Sequence, residues 1–274
     1  MMSLLSKTII GGLGILTSSS IIEKEMKEYD IDVLCPIDMV SIIVSSFNES
    51  AFIETCLSSL RNQNIIQEYP RYFEIILADS CSTDGTIEIA EHYVDRIIIT
   101  PRGKLTSRNI AAQEAKGGII VSVDSDSYYP YHWLNTLLKP LIDYTNPKYK
   151  NVVGVFGSTF DYTINNIPGQ LLSLADFIYN STLNTTRMVG RNSAYRKWAF
   201  FLANRFDENV NQFDIWSIFG EEERAFGQRL SKLGKVIYKL NASCYHMGGF
   251  KTIGRLGFCS EQIMDKYQFG KDRF

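Results

Sequence analysis

Hydrophobic and polar positions follow one another along the first half of the chain in blocks that predict alternating strands and helices. Short apolar runs bounded by polar turns predict buried strands, and apolar residues three and four positions apart predict helices. The predicted strands are 40–48, 72–80, 96–100 and 118–124, and the predicted helices are 51–64, 83–94 and 107–115. This alternation is typical of a parallel sheet covered by helices on both faces.

The second half of the chain is richer in aromatic residues, and its pattern is less regular. It predicts a strand over 151–160 and helices over 171–180 and 220–234, the last ended by Gly234. A charged helix over 23–30 precedes the first predicted strand.

Polar residues follow three of the predicted strands at their carboxyl ends. They are SSFNE at 45–49, ADSCSTDGT at 78–86 and DSDS at 124–127. Parallel sheets bind ligands at the carboxyl ends of their strands. We therefore expect these three segments to meet at one edge of the sheet.

Asp124 and Asp126 lie one residue apart directly after a buried strand. Two carboxylates on one turn repel each other unless a cation lies beside them. Oxygen ligands without a nearby His or Cys pair suit Mg²⁺ or Mn²⁺, which fill their other positions with water and substrate phosphate. The alternative is that one acid caps the helix that begins near Pro130. We favour a divalent metal and phosphate site.

Asp79, at the end of the second strand, is placed to accept hydrogen bonds from a base or a ribose. The alternative is turn chemistry, with Thr83 or Asp84 as the N-cap of the next helix. The chain contains no GxGxxG and no GxxxxGK[ST] motif. Dinucleotide and P-loop sites are therefore disfavoured.

Charge and cysteine usage narrow the class of protein. The 274 residues carry 28 basic and 30 acidic side chains, a net charge of −2 that argues against a dedicated nucleic-acid binder. Two acid-free basic runs, within 96–108 and 187–205, would suit a phosphorylated ligand or a solvated face. Five cysteines without CxxC spacing indicate neither a disulfide framework nor a zinc site, so we predict a cytoplasmic protein.

The first 22 residues contain an apolar, glycine-rich run after a single lysine. The run is shorter than the roughly 20 residues that a spanning helix needs, and it lacks a convincing cleavage site. We interpret it as a loosely packed extension or as a weak, peripheral contact with a membrane surface.

Over residues 38–250 the sequence resembles the family 2 glycosyltransferases with the GT-A fold. The resemblance rests on a series of segments in order: VSIIVSSFNE, CLSSLRNQ, EIILADSCSTDGT, SRNIAAQEAKG, VDSDSYYP, GRNSAYRKWAF, FDE, GEEERAFGQRL and the histidine of ASCYH. It implies an α/β fold: a single Rossmann-like domain with a mostly parallel central sheet flanked by helices. An N-terminal extension (1–37) would precede a nucleotide-sugar-binding half (38–126), an acceptor-binding half (127–250) and a C-terminal tail (251–274).

The resemblance also implies an activity. It is the transfer, with inversion, of a sugar from a nucleotide diphosphate sugar, which we expect to be UDP-linked, to an acceptor hydroxyl. Mn²⁺ or Mg²⁺ would assist, and the acceptor would be a glycan, lipid-linked or protein-bound, rather than a nucleic acid.

Site residues follow from the resemblance by position. Ser46, Asn48 and Glu49 would line the nucleotide, Asp79 would bind the base, Asp84 would hold that loop, and Arg108 would contact the donor. Asp124 would approach the ribose, or the metal through water, and Asp126 would bind the metal directly. His246 would lie near the metal or the diphosphate; the alternative is a buried histidine at the end of a strand.

Two positions depart from the family pattern. Cys81 stands where the family usually has glycine, so the turn is expected to be tighter or differently shaped. The family's Glu-Asp pair becomes Glu221-Glu222-Glu223; counting back from Arg229 makes Glu223 the base, and a shift of one residue makes it Glu222. The alternative is an acidic helix start, which helix dipoles favour.

The chemistry of the residues agrees with this activity. Departure of a diphosphate needs cations, for which Arg191 or Arg196 is available, and the acceptor's proton needs a carboxylate. Four aromatic residues would stack on sugars or pack in the core: Tyr128, Tyr129, Trp133 and Trp198.

Two competing functions stay open. A sugar-phosphate nucleotidyltransferase would also use a strand-end acid pair and a metal, but it normally has a basic glycine-rich loop after the first strand, which SSFNES lacks. A binding module without catalysis fits poorly with the intact acid pair and acidic triplet.

Overall fold

Strands and helices alternate through the first half of the protein, as the sequence predicts. A computed structural model describes residues 39–161, 190–208 and 221–247. Its first elements are β1 (Val40–Ser46), α1 (Ile53–Arg61), α2 (Asn64–Glu68), β2 (Phe73–Asp79), α3 (Thr86–Ala90), β3 (Arg96–Ile99), α4 (Lys104–Glu114) and β4 (Ile119–Asp124). Every residue of β1, β2 and β4 is buried, because helices cover both faces of a parallel sheet.

The second half completes the sheet with four strands and three helices in the described part. The elements are β5 (Ser127–Tyr128), α5 (Trp133–Ile142), β6 (Val152–Asp161), β7 (Asn192–Arg196), α6 (Lys197–Leu202), α7 (Glu221–Ser231) and β8 (Lys235–His246). The predicted strand over 151–160 is confirmed as β6. Helix α7 ends at Ser231 rather than at Gly234. The predicted helices over 23–30 and 171–180, and the predicted extension and tail, fall outside the described residues.

One mixed sheet joins the eight described strands in the order β3-β2-β1-β4-β7-β6-β8-β5. Strands β1 to β4 pair in parallel, as do β6 and β8, whereas β7 is antiparallel to β4 and β6, and β5 is antiparallel to β8. The predicted α/β class with a mostly parallel sheet is confirmed.

The register of the sheet brings the predicted polar segments together. Ser46 lies beside Asp79 across β1 and β2, and Ser45 lies beside Asp124 across β1 and β4. The carboxyl ends of β1, β2 and β4, with the loops that follow them, form a single edge that we call the rim. The expectation that these three segments meet is therefore confirmed.

An aromatic cluster fixes the helices of the second half against β7. Tyr195 stacks on Phe200 with ring centroids 5.0 Å apart, and Phe226 of α7 packs 5.4 Å from Phe200 and 4.7 Å from Phe206. All four side chains are nearly or fully buried. Because Phe226 belongs to α7, this packing sets the position of the acidic residues at the start of that helix.

Among the helices of residues 39–161, 190–208 and 221–247, none combines the length and apolar character needed to cross a bilayer.

Candidate active site

Asp79 anchors the loop after β2 to the end of β1. Its side chain is fully buried, and its carboxylate accepts hydrogen bonds from Ser46 Oγ (2.6 Å), Ser82 Oγ (2.7 Å) and Ser82 N (2.7 Å). Because the side chain is fully buried, a ligand would reach this carboxylate only after a rearrangement. Asp79 and Ser46 thus hold the shape of the rim, in addition to any contact that they make with a base.

Asn48 ties the loops after β1 and β2 together. Its backbone N–H donates to Ser82 Oγ (2.8 Å), and its Oδ1 accepts from the N–H of Thr83 (2.9 Å). Asn48 adopts a φ of 52°, a left-handed conformation that asparagine tolerates better than most residues. The two loops therefore behave as one unit.

Asp84 and Glu49 add further links between these loops. Asp84 Oδ2 accepts from the N–H of Ser50 (2.9 Å), its Oδ1 accepts from the N–H and hydroxyl of Thr86, and the N–H of Glu49 donates to Thr86 Oγ1 (2.9 Å). Burial is the largest single effect and would raise the pKa of Asp84, but the hydrogen bonds from Thr86 and Ser50 together outweigh burial and lower that pKa. The N-cap position of α3 is Gly85, at a φ of 91°, so the prediction of Thr83 or Asp84 as the N-cap is wrong.

Cys81 adopts the backbone conformation for which glycine is suited. Its φ is 61°, in the left-handed region where a Cβ crowds the following carbonyl. The substitution therefore keeps a glycine-type turn and places a strained cysteine in it.

Three cations surround Asp124. Its Oδ2 lies 2.6 Å from Lys104 Nζ and 3.7 Å from Arg191 Nε, and its Oδ1 binds Arg108 directly. Burial alone would raise the pKa of Asp124, but the Lys104, Arg108 and Arg191 charges outweigh burial and hold that pKa well below its ordinary value. The argument that Asp124 needs a metal as its counter-ion is therefore wrong, since the protein supplies the charge itself.

The three cations differ in their access to solvent. The side chains of Lys104 and Arg191 are 42% and 34% exposed, whereas that of Arg108 is completely buried. Arg108 therefore cannot touch a donor without a rearrangement, contrary to the direct contact expected for it. Lys104 and Arg191 face the open side of the rim, where an anionic ligand would meet them.

Arg108 also connects the Asp124 cluster to α7. Its NH1 lies 3.9 Å from Glu223 Oε1, and its NH1 and Nε are buried without a hydrogen-bond partner in the described part of the protein. Gly190 closes this space, because a Cβ there would overlap the Arg108 guanidinium and lie 3.1 Å from Glu223 Oε1. The absence of a side chain at Gly190 lets the two charged groups approach.

Asp126 pairs with His246 at the other end of the acidic turn. His246 Nε2 lies 3.0 Å from Asp126 Oδ2, and the two side chains are about equally buried. Strand β5 pairs with β8 so that Ser127 lies beside His246, which fixes this meeting. Asp126 Oδ1 is buried and has no hydrogen-bond partner among the described residues.

The acidic start of α7 separates into two different environments. Glu222 is 4% exposed, and its Oε1 accepts from Arg229 NH2 (2.7 Å) and from the N–H of Asp207 (2.7 Å). Glu223 is 22% exposed and turns towards Arg108. Glu222 Oε1 is thus held in a buried pair with Arg229, which favours Glu223 over Glu222 as the candidate base.

Arg191 lies close enough to three carboxylates, those of Asp124, Asp126 and Glu223, for their charges to act on it. Burial lowers its pKa, but the charges of Asp124, Asp126 and Glu223 outweigh burial and raise it. Arg196 is excluded from this group because it pairs with Ile119 at the opposite end of β4, where it donates to the carbonyl oxygens of Val152 and Leu141. Of the two arginines considered as cations for the diphosphate, Arg191 is therefore the candidate.

The predicted aromatic residues divide between core and surface. Tyr129 and Trp133 are fully buried and pack with ring centroids 4.3 Å apart, so they belong to the core. Tyr128 and Trp198 are 42% and 50% exposed. Stacking on a sugar is open only to the exposed pair.

Sequence reasoning did not assign a role to Lys104 or Gly190. Lys104 lies in the acid-free run between Arg96 and Arg108, and that run was the available signal. Gly190 immediately precedes Arg191, but a single glycine gives no sign that an arginine more than eighty positions away will pack against it.

Comparison with known proteins identifies relatives of this chain. The model of a family described as glycosyl transferase family 2 matches residues 41–209. The poly(ribitol-phosphate) beta-N-acetylglucosaminyltransferase TarS of Staphylococcus aureus is 34% identical over 96 residues, which are 32% of this chain and 16% of TarS. Hyaluronan synthase of Pasteurella multocida is 26% identical over 236 residues, which are 81% of this chain and 22% of that protein. The chain thus spans less than a quarter of either relative.

Solved structures share the fold. The mannosyltransferase PcManGT from Pyrobaculum calidifontis, in complex with GDP-Man and Mn²⁺, has a TM-score of 0.59 and 19% identity over 88% of this chain and 66% of its own. TarS residues 1–349 in complex with UDP-GlcNAc have a TM-score of 0.55 and 20% identity over 76% of this chain and 60% of that chain. The fold described above is therefore the GT-A fold.

Proposed function

This chain belongs to glycosyl transferase family 2, and we propose that it transfers a sugar from a UDP-linked donor to a glycan hydroxyl with inversion at the anomeric carbon. One observation carries the proposal: contacts at the acidic turn join Asp124 to its three cations, Asp126 to His246 and, through Arg108, Asp124 to the partly exposed carboxylate of Glu223. An anionic leaving group, a cation and a base are the three requirements of this reaction.

Lys104 and Arg191 take the leaving diphosphate in this proposal. Both cations are partly exposed at the rim, and both are already oriented by Asp124, so little reorganisation is needed when a phosphate arrives. Arg108 is a positioning residue, since its buried guanidinium holds Asp124 from behind and reaches Glu223.

Asp126 and His246 would hold a divalent cation. The buried, unpartnered Oδ1 of Asp126 and the imidazole beside its Oδ2 fit a metal better than Asp124 does, because both oxygens of Asp124 face protein cations. No group of three or more His, Cys, Asp or Glu side chains among the described residues could hold a metal alone. Mg²⁺ and Mn²⁺ commonly complete such a partial site with water and phosphate, and they supply charge that stabilises a departing diphosphate.

Glu223 accepts the proton of the acceptor hydroxyl. Its carboxylate is partly exposed and lies 3.9 Å from Arg108 NH1, whereas the carboxylate of the neighbouring Glu222 is paired with Arg229. Inversion requires the base and the leaving group on opposite faces of the sugar. The donor would therefore lie between Glu223 and the exposed cations.

The choice of UDP rests on the relatives. TarS has been solved with UDP and with UDP-GlcNAc, and its matched segment is 34% identical to this chain. In this proposal Asp79, Asn48 and their loops form the wall for the uracil. In this proposal the acceptor is a glycan, since the names of TarS and hyaluronan synthase refer to polymers, poly(ribitol-phosphate) and hyaluronan.

Donor binding and slow donor hydrolysis test the proposal without knowledge of the acceptor. UDP binding is measured by calorimetry, and hydrolysis is measured for UDP-glucose, UDP-GlcNAc and GDP-mannose, each with MnCl₂ and with EDTA. We expect UDP to bind, at least one UDP-sugar to be hydrolysed, and EDTA to weaken both. Asp126→Ala should resemble EDTA treatment, while Glu68→Ala, at an exposed acid on α2, should not change either result. Full UDP affinity in EDTA would refute the metal assignment, and no affinity for any of the nucleotides would refute the proposed activity.

A further inference from the structure

A groove lies on the outer side of α1. Its volume is about 580 Å³, within the range of small-molecule sites. Its lining comes from α1 and the residue after it, α2, the turn after α3 and the segment after Asp126. The lining residues are Glu54, Thr55, Ser58, Ser59, Asn62, Gln67, Tyr93, Tyr128, Tyr129 and Tyr131. None of these residues takes part in the activity proposed above.

The floor of the groove is held in place by the core. Tyr129 and Ser59 are buried, and the N–H of Tyr129 donates to Ser59 Oγ (3.2 Å). The buried Gln63 donates to the carbonyl oxygens of Ser59 and Tyr129, which joins α1 to the segment after the acidic turn. The groove is therefore preformed and does not need a ligand to create it.

The walls present aromatic rings beside hydrogen-bonding side chains. Tyr128 and Tyr131 are 42% and 50% exposed, so part of each ring is open to a ligand. Tyr93 donates its hydroxyl to Glu54 Oε1 (3.0 Å) at one end, and Gln67 Nε2 donates to Asn62 Oδ1 (3.4 Å) at the other. Apolar ring faces flanked by planar polar groups match a saccharide, which has C–H faces and a border of hydroxyls.

The charge of the lining excludes an anionic ligand. Glu54 is the one charged side chain of the ten, and the lining contains no lysine or arginine. A nucleotide or a phosphorylated polymer would find no counter-charge here, in contrast to the three cations at Asp124. We propose that this groove is a second binding site of the protein and that it takes a neutral oligosaccharide.

Two links connect the groove to the acidic turn, one along the chain and one by a hydrogen bond. Tyr128 follows Asp126 by two residues, and Cys56 on the inner side of α1 donates its thiol to the carbonyl oxygen of Asp124 (3.4 Å). A saccharide in the groove would thus lie one helix away from the acidic turn. Its role as a remote part of the acceptor glycan rests on the proposed function, whereas the binding itself does not.

The test uses the full chain with cellotriose and chitotriose, two neutral trisaccharides, and no donor. Binding is measured by calorimetry and by saturation-transfer NMR. We expect at least one trisaccharide to bind and Tyr131→Ala to weaken it about tenfold, as loss of one aromatic contact implies. Tyr144→Ala removes a tyrosine of similar exposure, 53%, outside the groove and should leave the affinity unchanged.

The possible outcomes separate a failure of the groove proposal from a failure of the proposed function. Absence of binding by both trisaccharides, an affinity unaffected by Tyr131→Ala, or displacement of the trisaccharide by tripolyphosphate would each overturn the groove assignment. UDP affinity measured in parallel on Tyr131→Ala should equal that of the parent protein. UDP binding without trisaccharide binding refutes the groove and leaves the proposed function standing, and the reverse result refutes the proposed function alone.

Discussion

Cys81 shows how a single residue type can be at odds with its backbone. A non-glycine residue in the left-handed region costs about 1–2 kcal/mol, and part of this is offset because a side chain restricts the unfolded chain. We predict that Cys81→Gly raises the free energy of unfolding by up to about 1 kcal/mol. Cys81→Ser, which keeps a Cβ, should give no such gain, and urea denaturation of the three proteins measures the difference. A less stable glycine variant would mean that the weak contact of Cys81 Sγ with the carbonyl oxygen of Thr100 matters more than the strain.

Glu222 and Glu223 are adjacent in sequence but should respond oppositely to the same substitution. Glu223→Gln removes a proton acceptor at the rim, so turnover should fall about 10²-fold or more, with stability and UDP affinity nearly unchanged. Glu222→Gln breaks a buried pair with Arg229, so the free energy of unfolding should fall by about 1–3 kcal/mol while turnover of the folded enzyme changes little.

Steady-state kinetics and thermal unfolding of both variants make the comparison, and each variant serves as the control for the other. Loss of turnover in Glu222→Gln without loss of stability would mean that Glu222, and not Glu223, is the base. Two variants with unchanged turnover would leave the protein without a base at the start of α7.

The sequence predicted which acidic residues lie at the rim, but it did not predict which side chains pair with them. Asp79, Asp124 and Asp126 stand out because they follow apolar strands, and that signal is local in the sequence. The three cations of Asp124 come from α4 and from the loop before β7, and no local pattern announces their convergence. For this reason the sequence suggested an uncompensated acid pair, and the structure shows one acid compensated by the protein and one beside a histidine.

At the scale of elements, the start of β7 meets α4 and α7 at a point too narrow for a side chain. The Cβ added in Gly190→Ala would displace the Arg108 guanidinium, which binds Asp124, and would also crowd Glu223. Since a displacement of about 1 Å at a catalytic group can cost 10²-fold in rate, we predict a loss of turnover of about that size. Gly85→Ala is the matched control, because a Cβ there meets no atom within 4 Å but the φ of 91° is strained.

The two glycine variants should therefore separate in kinetics and in stability. Gly85→Ala should lose about 1 kcal/mol of stability with little change in turnover of the folded protein. Gly190→Ala should lose turnover even at temperatures where it is fully folded. Equal turnover in Gly190→Ala and the parent protein would show that Arg108 can move without consequence for the rim.

The strands buried on both faces were predictable, as was the short, partly exposed β3, but β8 was not. Strands β1, β2 and β4 read as apolar runs because parallel strands are covered on both sides. Strand β8 carries lysines and asparagine among its apolar residues and is only partly buried over most of its length, so its sequence resembles a loop. Helix α3 was predicted too long, since Gly85 and the hydrogen bonds of Asp84 delay its start.

At the scale of the whole molecule, the sheet begins at Val40, which pairs on one side with Phe73 and on the other with Ile119. We predict that deletion of residues 1–37 leaves the fold and UDP affinity intact, because both neighbours of β1 lie within the described sheet. Circular dichroism and calorimetry with UDP measure this. Transfer to a membrane-borne acceptor should fall if the segment contacts a membrane, and an unfolded product would show instead that the segment is part of the domain.

The pairing of β5 with β8 joins two segments that the ribosome synthesises at different times. Asp126 and His246 are separated by 120 positions, and ribosomes add about 5–20 residues per second, so roughly 6–24 s pass between the synthesis of the two. During this interval the first four strands and the acidic turn can already exist, while the histidine does not. A nascent chain interrupted before residue 191 would lack both Arg191 and His246, and one interrupted between residues 191 and 246 would lack the His246 partner of Asp126.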